Sequence, residues 1–411
     1  MDSKSANESS TSSESLAETM APTGGGLDVP VSGLTVSERS VTVLPSVRQD
    51  GERLVVNARN ELRYESQAVL GRGGMGEVEL VRDNDIGRSV AVKRLIHQSN
   101  AQSVARFVEE VQTIGTLEHP NIPPVHDVGV DDQGRLFFVM KYVQGETLGT
   151  IIKKLAAGDQ DYHRRFTFDA RLTCFVGLLR ALQYAHNQGI IHRDIKLENV
   201  MVGPYGEVML MDWGLAQRRV TSESDSRQEK DSFESIDDGS LLGTPSYMSP
   251  EQARGELSTL DERSDLYSAF VVLFELLTTK AYVESAESVS KIVAQVADRQ
   301  PPQAYEARQF ESPHQGAVPT ELRFLLRRGL ANAREDRFES AEAALLEIER
   351  LRSGSCAVNC PVTFVKATSS RFERIIDNHP LAGLFAVLLI SAACLSGAAG
   401  WITWGLDRLG F

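Results

Sequence analysis

The segment Ala68-Val69-Leu70-Gly71-Arg72-Gly73-Gly74-Met75-Gly76-Glu77-Val78-Glu79-Leu80 limits the fold more than any other part of this chain. Its glycines follow the spacing Gly-x-Gly-x-x-Gly, which serves different architectures. In a dinucleotide-binding unit such a turn runs into a helix that the glycines pack against the sheet. Here Val78 and Leu80 alternate with Glu77 and Glu79, the two-residue period of a strand. The segment reads as strand, glycine turn, strand, which sets it apart from the dinucleotide fold. Taken alone, it also fits a tight glycine hairpin with no ligand.

A second constraint lies in Ile191-His192-Arg193-Asp194-Ile195-Lys196-Leu197-Glu198-Asn199, where Lys196 and Asn199 stand two and five residues after Asp194. A loop of this kind can hold a base, a cation and a metal ligand around one reacting phosphate. Between the two segments, Ser89-Val90-Ala91-Val92-Lys93-Arg94-Leu95 alternates as a short strand with Lys93 in an apolar frame. Residues 102–118 place Val104, Phe107, Val108, Val111, Ile114 and Leu117 on one helical face, with Glu109 and Glu110 on it. Residues 135–143 read as a buried strand. Residues 148–155 and 168–188 carry helical periodicity, and Asn187-Gln188-Gly189 is a helix stop. Beyond the loop, Val200-Met201-Val202 and Val208-Met209-Leu210-Met211 form a hairpin that delivers Asp212-Trp213-Gly214. A polar stretch, 215–242, precedes Gly243-Thr244-Pro245-Ser246-Tyr247-Met248-Ser249-Pro250-Glu251-Gln252. Arg263-Ser264-Asp265-Leu266-Tyr267-Ser268 then opens an apolar helix.

In this order and at these spacings the motifs resemble the eukaryotic-like (Hanks-type) serine/threonine protein kinases of bacteria, across roughly residues 63–351. The resemblance implies an α+β bilobal protein kinase fold over residues 61–352, with a small β-rich N-lobe at 61–145 and a larger helical C-lobe at 146–352. It implies ATP held by Leu70, Gly71, Arg72, Gly73, Gly74, Met75, Gly76, Glu77, Val78 and Ala91. Met140 would be the gatekeeper, and the backbone of Lys141 and Val143 the adenine hinge. Lys93 would fix the α- and β-phosphates, paired with Glu110, which the family register selects over Glu109. Asn199 and Asp212 would hold Mg2+, with Mn2+ as the alternative cation. Asp194 would orient the substrate hydroxyl and accept its proton, and Lys196 would offset charge on the γ-phosphate. Thr244 would sit in the substrate-docking loop and, with Lys196, favour Ser/Thr over Tyr. Asp265 would anchor the catalytic loop, and Arg337 would pair with Glu251. Three residues depart from the family's usual pattern: Trp213 for Phe, Ser249 for Ala and Phe270 for Gly.

Arg193 beside Asp194 suggests regulation by a phosphate on the activation segment. Thr221, Ser222, Ser224, Ser226, Ser232, Ser235 and Ser240 are the candidate autophosphorylation sites. A pseudokinase scaffold tethered to the membrane would lack a lysine, a base or a metal ligand, and none is missing. A small-molecule phosphotransferase on the same fold would not need the docking segment that ends in Ser249-Pro250-Glu251.

Composition matters at the two ends and for partners. Residues 1–60 are rich in Ser, Thr, Glu and Gly at their start and read as disordered, with the Val- and Leu-bearing stretch 27–56 able at most to lend a short strand to the next domain. No apolar leader opens the chain, so no secretory signal is expected. Residues 353–379 read as a juxtamembrane linker containing Lys366, Arg371 and Arg374. Cys356 and Cys360 in it have no further ligand nearby and read as reduced thiols. Residues 380–406 are uncharged, and at ~1.5 Å per residue they exceed the ~30 Å hydrocarbon core of a bilayer. They are expected to form one transmembrane helix in a single-pass membrane protein, with the catalytic domain cytoplasmic and 407–411 as a short non-cytoplasmic tail. Ala392, Ser396 and Gly400 recur every four positions, which fits a homodimer contact or mere coincidence in an Ala- and Gly-rich run. The net charge of −13 argues against nucleic acid as a partner. Protein substrates bearing Ser or Thr are the expected partners.

Overall fold

The computed structural model of the chain describes residues 46–50, 53–57, 63–73, 76–96, 101–218, 244–256, 260–311 and 314–353. The chain divides into two compact units, Met1–Glu65 with Asp83–Gly87, and Ser66–Arg82 with Arg88–Phe411. The first contains an antiparallel pair, β1 (Ser46–Asp50) and β2 (Arg53–Asn57), with Ser46 opposite Asn57 and Asp50 opposite Arg53. This corrects the expectation of disorder throughout residues 1–60. Only Gly51 and Glu52 connect the strands, and short glycine-containing links favour hairpins. The β-branched residues Val47, Val55 and Val56 favour extended backbone. Residues 1–45, 58–62, 354–379, the expected span at 380–406 and the tail at 407–411 lie outside the described residues. Among the described residues no helix is long and apolar enough to cross a membrane.

The main sheet has five strands in the order β3 (Tyr64–Arg72), β4 (Gly76–Asp83), β5 (Arg88–Leu95), β7 (Leu136–Lys141), β6 (Val125–Val130). Helix α1 (Ala101–Gly115) buries its apolar stripe with this sheet. Phe107 meets Phe138 with ring centroids 5.5 Å apart, and Ala91, Leu95 and Met140 complete the cluster. Of the stripe read from the sequence, Val104, Phe107 and Val111 join this cluster and Ile114 and Leu117 join the larger core, while Val108 is exposed and Leu117 lies beyond the helix end.

The rest of the second unit is mostly helical. Its core helix is α6 (Glu262–Thr278), capped by Asp261 and buried without a break from Ser264 to Thr278. A helix apolar on every side has to sit inside a core. Around it are α2 (Leu148–Ala156), α3 (Gln160–Arg165), α4 (Phe168–Asn187), α5 (Pro250–Ala253), α7 (Val289–Asp298), α8 (Thr320–Gly329) and α9 (Ala341–Arg352). A small sheet joins β8 (Glu146–Thr147), β10 (Val200–Val202) and β11 (Val208–Leu210), while β9 (Ile190–Ile191) pairs with β12 (Gln217–Arg218). Helix α3 had no apolar period to reveal it. The side chain of Asp159 caps it by accepting from the amides of Asp161 and Tyr162.

Phe270, the departure at a position where relatives of this type have glycine, is fully buried. Its ring stacks on Phe338 at 5.3 Å and meets Phe175 edge-on at 5.2 Å. The room comes from Gly329 at the end of α8, where an added Cβ would overlap the Phe270 ring. Gly329→Ala should therefore cost roughly 1–3 kcal/mol of stability in urea denaturation. The same change in a Phe270→Leu background should cost measurably less, because the two positions share one space.

Candidate active site

The loop after β9 is built on one buried carboxylate. Asp265, on α6, accepts the backbone amides of His192 (2.8 Å) and Arg193 (2.8 Å) and the ring of His186 (2.8 Å). Burial opposes its ionisation, but the hydrogen bonds from the His186 ring and the His192 amide outweigh that and hold its pKa low. Held this way, Arg193 adopts a left-handed backbone, φ 65°, a conformation that costs non-glycine residues energy and persists only where contacts enforce it. His192 accepts the Asp194 amide at Nδ1 (3.3 Å) and donates from Nε2 to the Met211 carbonyl (3.1 Å). Burial lowers its pKa, so it is the neutral ring that links the loop to the segment carrying Asp212.

Asp194 is buried with both oxygens engaged. Lys196 Nζ donates to Oδ2 at 2.6 Å, and Asn199 Nδ2 donates to the same oxygen at 3.2 Å and to the Asp194 carbonyl at 2.9 Å. Thr244 donates its hydroxyl (3.1 Å) and its amide (3.2 Å) to Oδ1, and Lys196 also reaches the Thr244 hydroxyl at 3.1 Å. A hydroxyl resting on a carboxylate beside an ammonium group is the arrangement that hydroxyl activation requires. Thr244, expected from the sequence in a docking loop, also touches the candidate base Asp194 directly.

Lys93 lies between two carboxylates, 2.5 Å from Glu110 and 3.3 Å from Asp212. Burial works against its charge, but Glu110 and Asp212 outweigh it and raise its pKa. Asp212 is held low: burial opposes ionisation, and the charge and hydrogen bond of Lys93 favour it. Its φ is 59°, another enforced left-handed residue. Of the two candidate acids on α1, Glu110 is the buried partner and Glu109 is exposed. The register of β5 on β7 sets Lys93 opposite Phe138 and Ala91 opposite Met140.

Most of the other residues expected to meet a nucleotide lie on β3, β4, β5 and β7. Val78 packs with Ala91 and Met140 in one apolar cluster, and Val143 is buried. Leu70, Gly71, Arg72 and Gly73 are exposed, Lys141 is half-buried and Glu77 is buried, accepting from Arg72 Nε at 2.7 Å. Gly73 donates to the Gly76 carbonyl at 2.9 Å, and a Cβ on Gly76 would lie 2.7 Å from the Arg94 carbonyl, so that position admits no side chain. Gly74 and Met75 lie outside the described residues. So do Thr221, Ser222, Ser224, Ser226, Ser232, Ser235 and Ser240. Arg193, expected to meet a phosphate, donates to the Leu215 carbonyl (2.7 Å) and to Gln217 Oε1.

Below the docking loop, Arg337 makes two parallel bonds to Glu251, each 2.8 Å, and Ser264 donates to the same carboxylate at 2.8 Å. Ser249, the departure from Ala, forms a capping box with Gln252 at the start of α5. Tyr247, which the sequence reading passed over, donates to the buried Glu275 at 2.8 Å. Asn121, also passed over, donates to the Val208 carbonyl at 2.7 Å. Neither has a periodic signal, since each bonds a residue distant in sequence.

Among the described residues no three His, Cys, Asp or Glu side chains gather as a self-sufficient metal cage. Mg2+ commonly takes one or two carboxylates and completes its shell with water and substrate phosphate. The Asp212 carboxylate and the Asn199 amide oxygen are hard donors of that type. The residues present fit that ion.

The protein kinase domain family matches residues 64–346, and the chain belongs to it. More narrowly, it is similar to bacterial proteins named as serine/threonine-protein kinases. It is 35% identical over 297 residues to "Probable serine/threonine-protein kinase SCO3848" of Streptomyces coelicolor, covering 71% of this chain and 40% of that one. It is 35% identical over 293 residues to "Serine/threonine-protein kinase pkn3" of Myxococcus xanthus (70% and 49%), and 40% identical over 226 residues to "Probable serine/threonine-protein kinase PknB" of Bifidobacterium longum (53% and 30%). The matched part thus spans less than half the length of each of these relatives.

The Glu251–Arg337 pair gives a pH-dependent prediction. Burial opposes the Glu251 charge, but the hydrogen bonds and charge of Arg337 hold its pKa below the ordinary value. Its contribution to stability is then complete above the ordinary Glu pKa of ~4.3 and is lost as pH falls through the lowered folded value. Glu251→Gln should cost about 3–5 kcal/mol at neutral pH, because Arg337 is left buried and unpaired. In chemical denaturation at a series of pH values, the gap between variant and parent should narrow below ~4.3.

Proposed function

We propose that this chain transfers the γ-phosphoryl group of ATP to Ser or Thr hydroxyls of proteins. The observation that carries the reading is the Asp194–Lys196–Thr244 cluster, in which a threonine hydroxyl already rests on the base beside a cation. Phosphoryl transfer needs alignment and charge neutralisation more than covalent chemistry. Asp194 receives and orients the substrate hydroxyl and takes its proton. Lys196 offsets negative charge on the transferred group. Lys93, fixed by Glu110, grips the donor phosphates. Asp212 and Asn199 hold Mg2+, which when bound neutralises the phosphate oxygens. The apolar cluster of Val78, Ala91 and Met140 receives the adenine, with the backbone of Lys141 and Val143 beside it.

Three finer parts of the reading rest on sequence. Phosphate on the 221–240 stretch orders the activation segment through Arg193. The uncharged run at 380–406 holds the catalytic domain on the cytoplasmic face of a membrane. Small residues in that run bring two copies together. Replacing all Ser and Thr between 221 and 240 with Ala should lower activity, and unchanged activity would remove the first part. Deleting residues 380–411 should move the protein from the membrane fraction to the soluble one.

For the central reaction, radiolabel from ATP should reach a Ser/Thr peptide or generic protein. Asp194→Asn should slow that transfer at least ~10²-fold, with ATP affinity nearly intact. Nucleotide binding without any transfer in the parent protein would instead favour the scaffold reading.

A further inference from the structure

Trp213 stands where the usual motif of the kinase family has phenylalanine, and it does something a phenylalanine cannot. Its indole Nε1–H donates to the Leu210 carbonyl at 3.2 Å, and the side chain is fully buried. A buried indole N–H needs an acceptor, and β-sheet register supplies one. Leu210 faces Val200 across the β10–β11 ladder. The neighbouring amide bonds, Met211 to Asn199 (2.7 Å) and Gly203 to Glu207 (2.8 Å), show that Leu210 falls at a non-hydrogen-bonded pair. Its polar groups therefore point away from β10. The Leu210 amide meets the Asn121 carbonyl at 2.8 Å, and the Leu210 carbonyl meets Trp213.

The next carbonyl, of Met211, accepts from His192 Nε2 at 3.1 Å, and the His192 and Trp213 rings meet edge-on at 4.6 Å. Two side chains thus grip the two peptide carbonyls immediately before Asp212. Asp212 itself is in the left-handed region at φ 59°, where a non-glycine residue stays only if neighbouring contacts hold it. The geometry points to Trp213 as a positioning residue: its indole N–H latches the backbone so that the Asp212 carboxylate stays beside Lys93, aimed at the metal position. With phenylalanine the ring would fill much of the space and leave the Leu210 carbonyl without this donor. The inference rests on the reading of Asp212 as the metal-holding carboxylate.

The test compares the full chain with Trp213→Phe. The first measurement is amide hydrogen exchange without nucleotide or metal. Losing one hydrogen bond should speed exchange across residues 209–214 by roughly 3- to 10-fold and leave α6 unchanged. The second is the Mg2+ concentration that half-saturates phosphate transfer, which should rise severalfold while the KM for the peptide substrate stays put. If Trp213→Phe does not fold, the benzothienylalanine isostere at position 213 keeps the two-ring shape, lacks the donor and is expected to give the same two results. Unchanged local exchange would overturn the latch, and so would faster exchange spread equally over α6, which marks general loosening. Absence of transfer in the parent protein would count against the proposed activity instead, and the exchange comparison would still decide the latch.

Discussion

The carboxylate of Asp265 is the constraint on which the catalytic loop depends. A charge taken from water is tolerated only when its lone pairs are met, and here two backbone amides and one imidazole meet them. The carboxylate sits on α6, the helix buried on every side, so its position is set by the core and not by the loop. Packing energy is converted at this point into loop geometry. Arg193 is held in a left-handed conformation, His192 is kept inside, and Asp194 is turned toward Lys196 and Thr244.

The site's charges are arranged in an alternating chain. Glu110 faces Lys93, Lys93 faces Asp212, and Lys196 faces Asp194. Glu110 and Asp212 keep Lys93 charged and Lys93 keeps Asp212 ionised, whereas burial outweighs Lys93 at Glu110 and raises that carboxyl's pKa. Charges and dipoles set in place before a ligand arrives are a main physical source of catalysis in phosphoryl transfer. The Glu251–Arg337 pair uses the same attraction for a different end. It is sealed from water and bonded twice, so it fixes the segment that begins at Thr244 on the core.

Much of this was legible in the sequence because kinase chemistry needs particular side chains in a fixed order. Lys93, Asp194, Lys196 and Asp212 announce themselves by type and spacing, and the apolar stripe of α1 shows which face meets the sheet. Glu110 was separable from Glu109 only through family register; burial then gives the physical distinction. Other features left no local mark. The 46–57 hairpin sits in a stretch whose start reads as disordered, and its pairing depends on which strand meets which. Helix α3 is polar all round and depends on its cap. The fit of Phe270 against Gly329 involves two residues distant in sequence, each unremarkable alone.

The sequence by itself determined the family, the division into a β-rich and a helical part and which candidate groups are present, since these depend on residue type and on local periods of two and 3.6. Only the tertiary structure decided how those groups are aimed. Whether Asp212 stays beside Lys93 depends on a carbonyl left outward by strand register and on an indole placed to meet it. Whether Asp194 is ready depends on a carboxylate delivered from the core helix. Such contacts join residues far apart along the chain, and hydrogen bonds form only when folding brings donor and acceptor to about 3 Å.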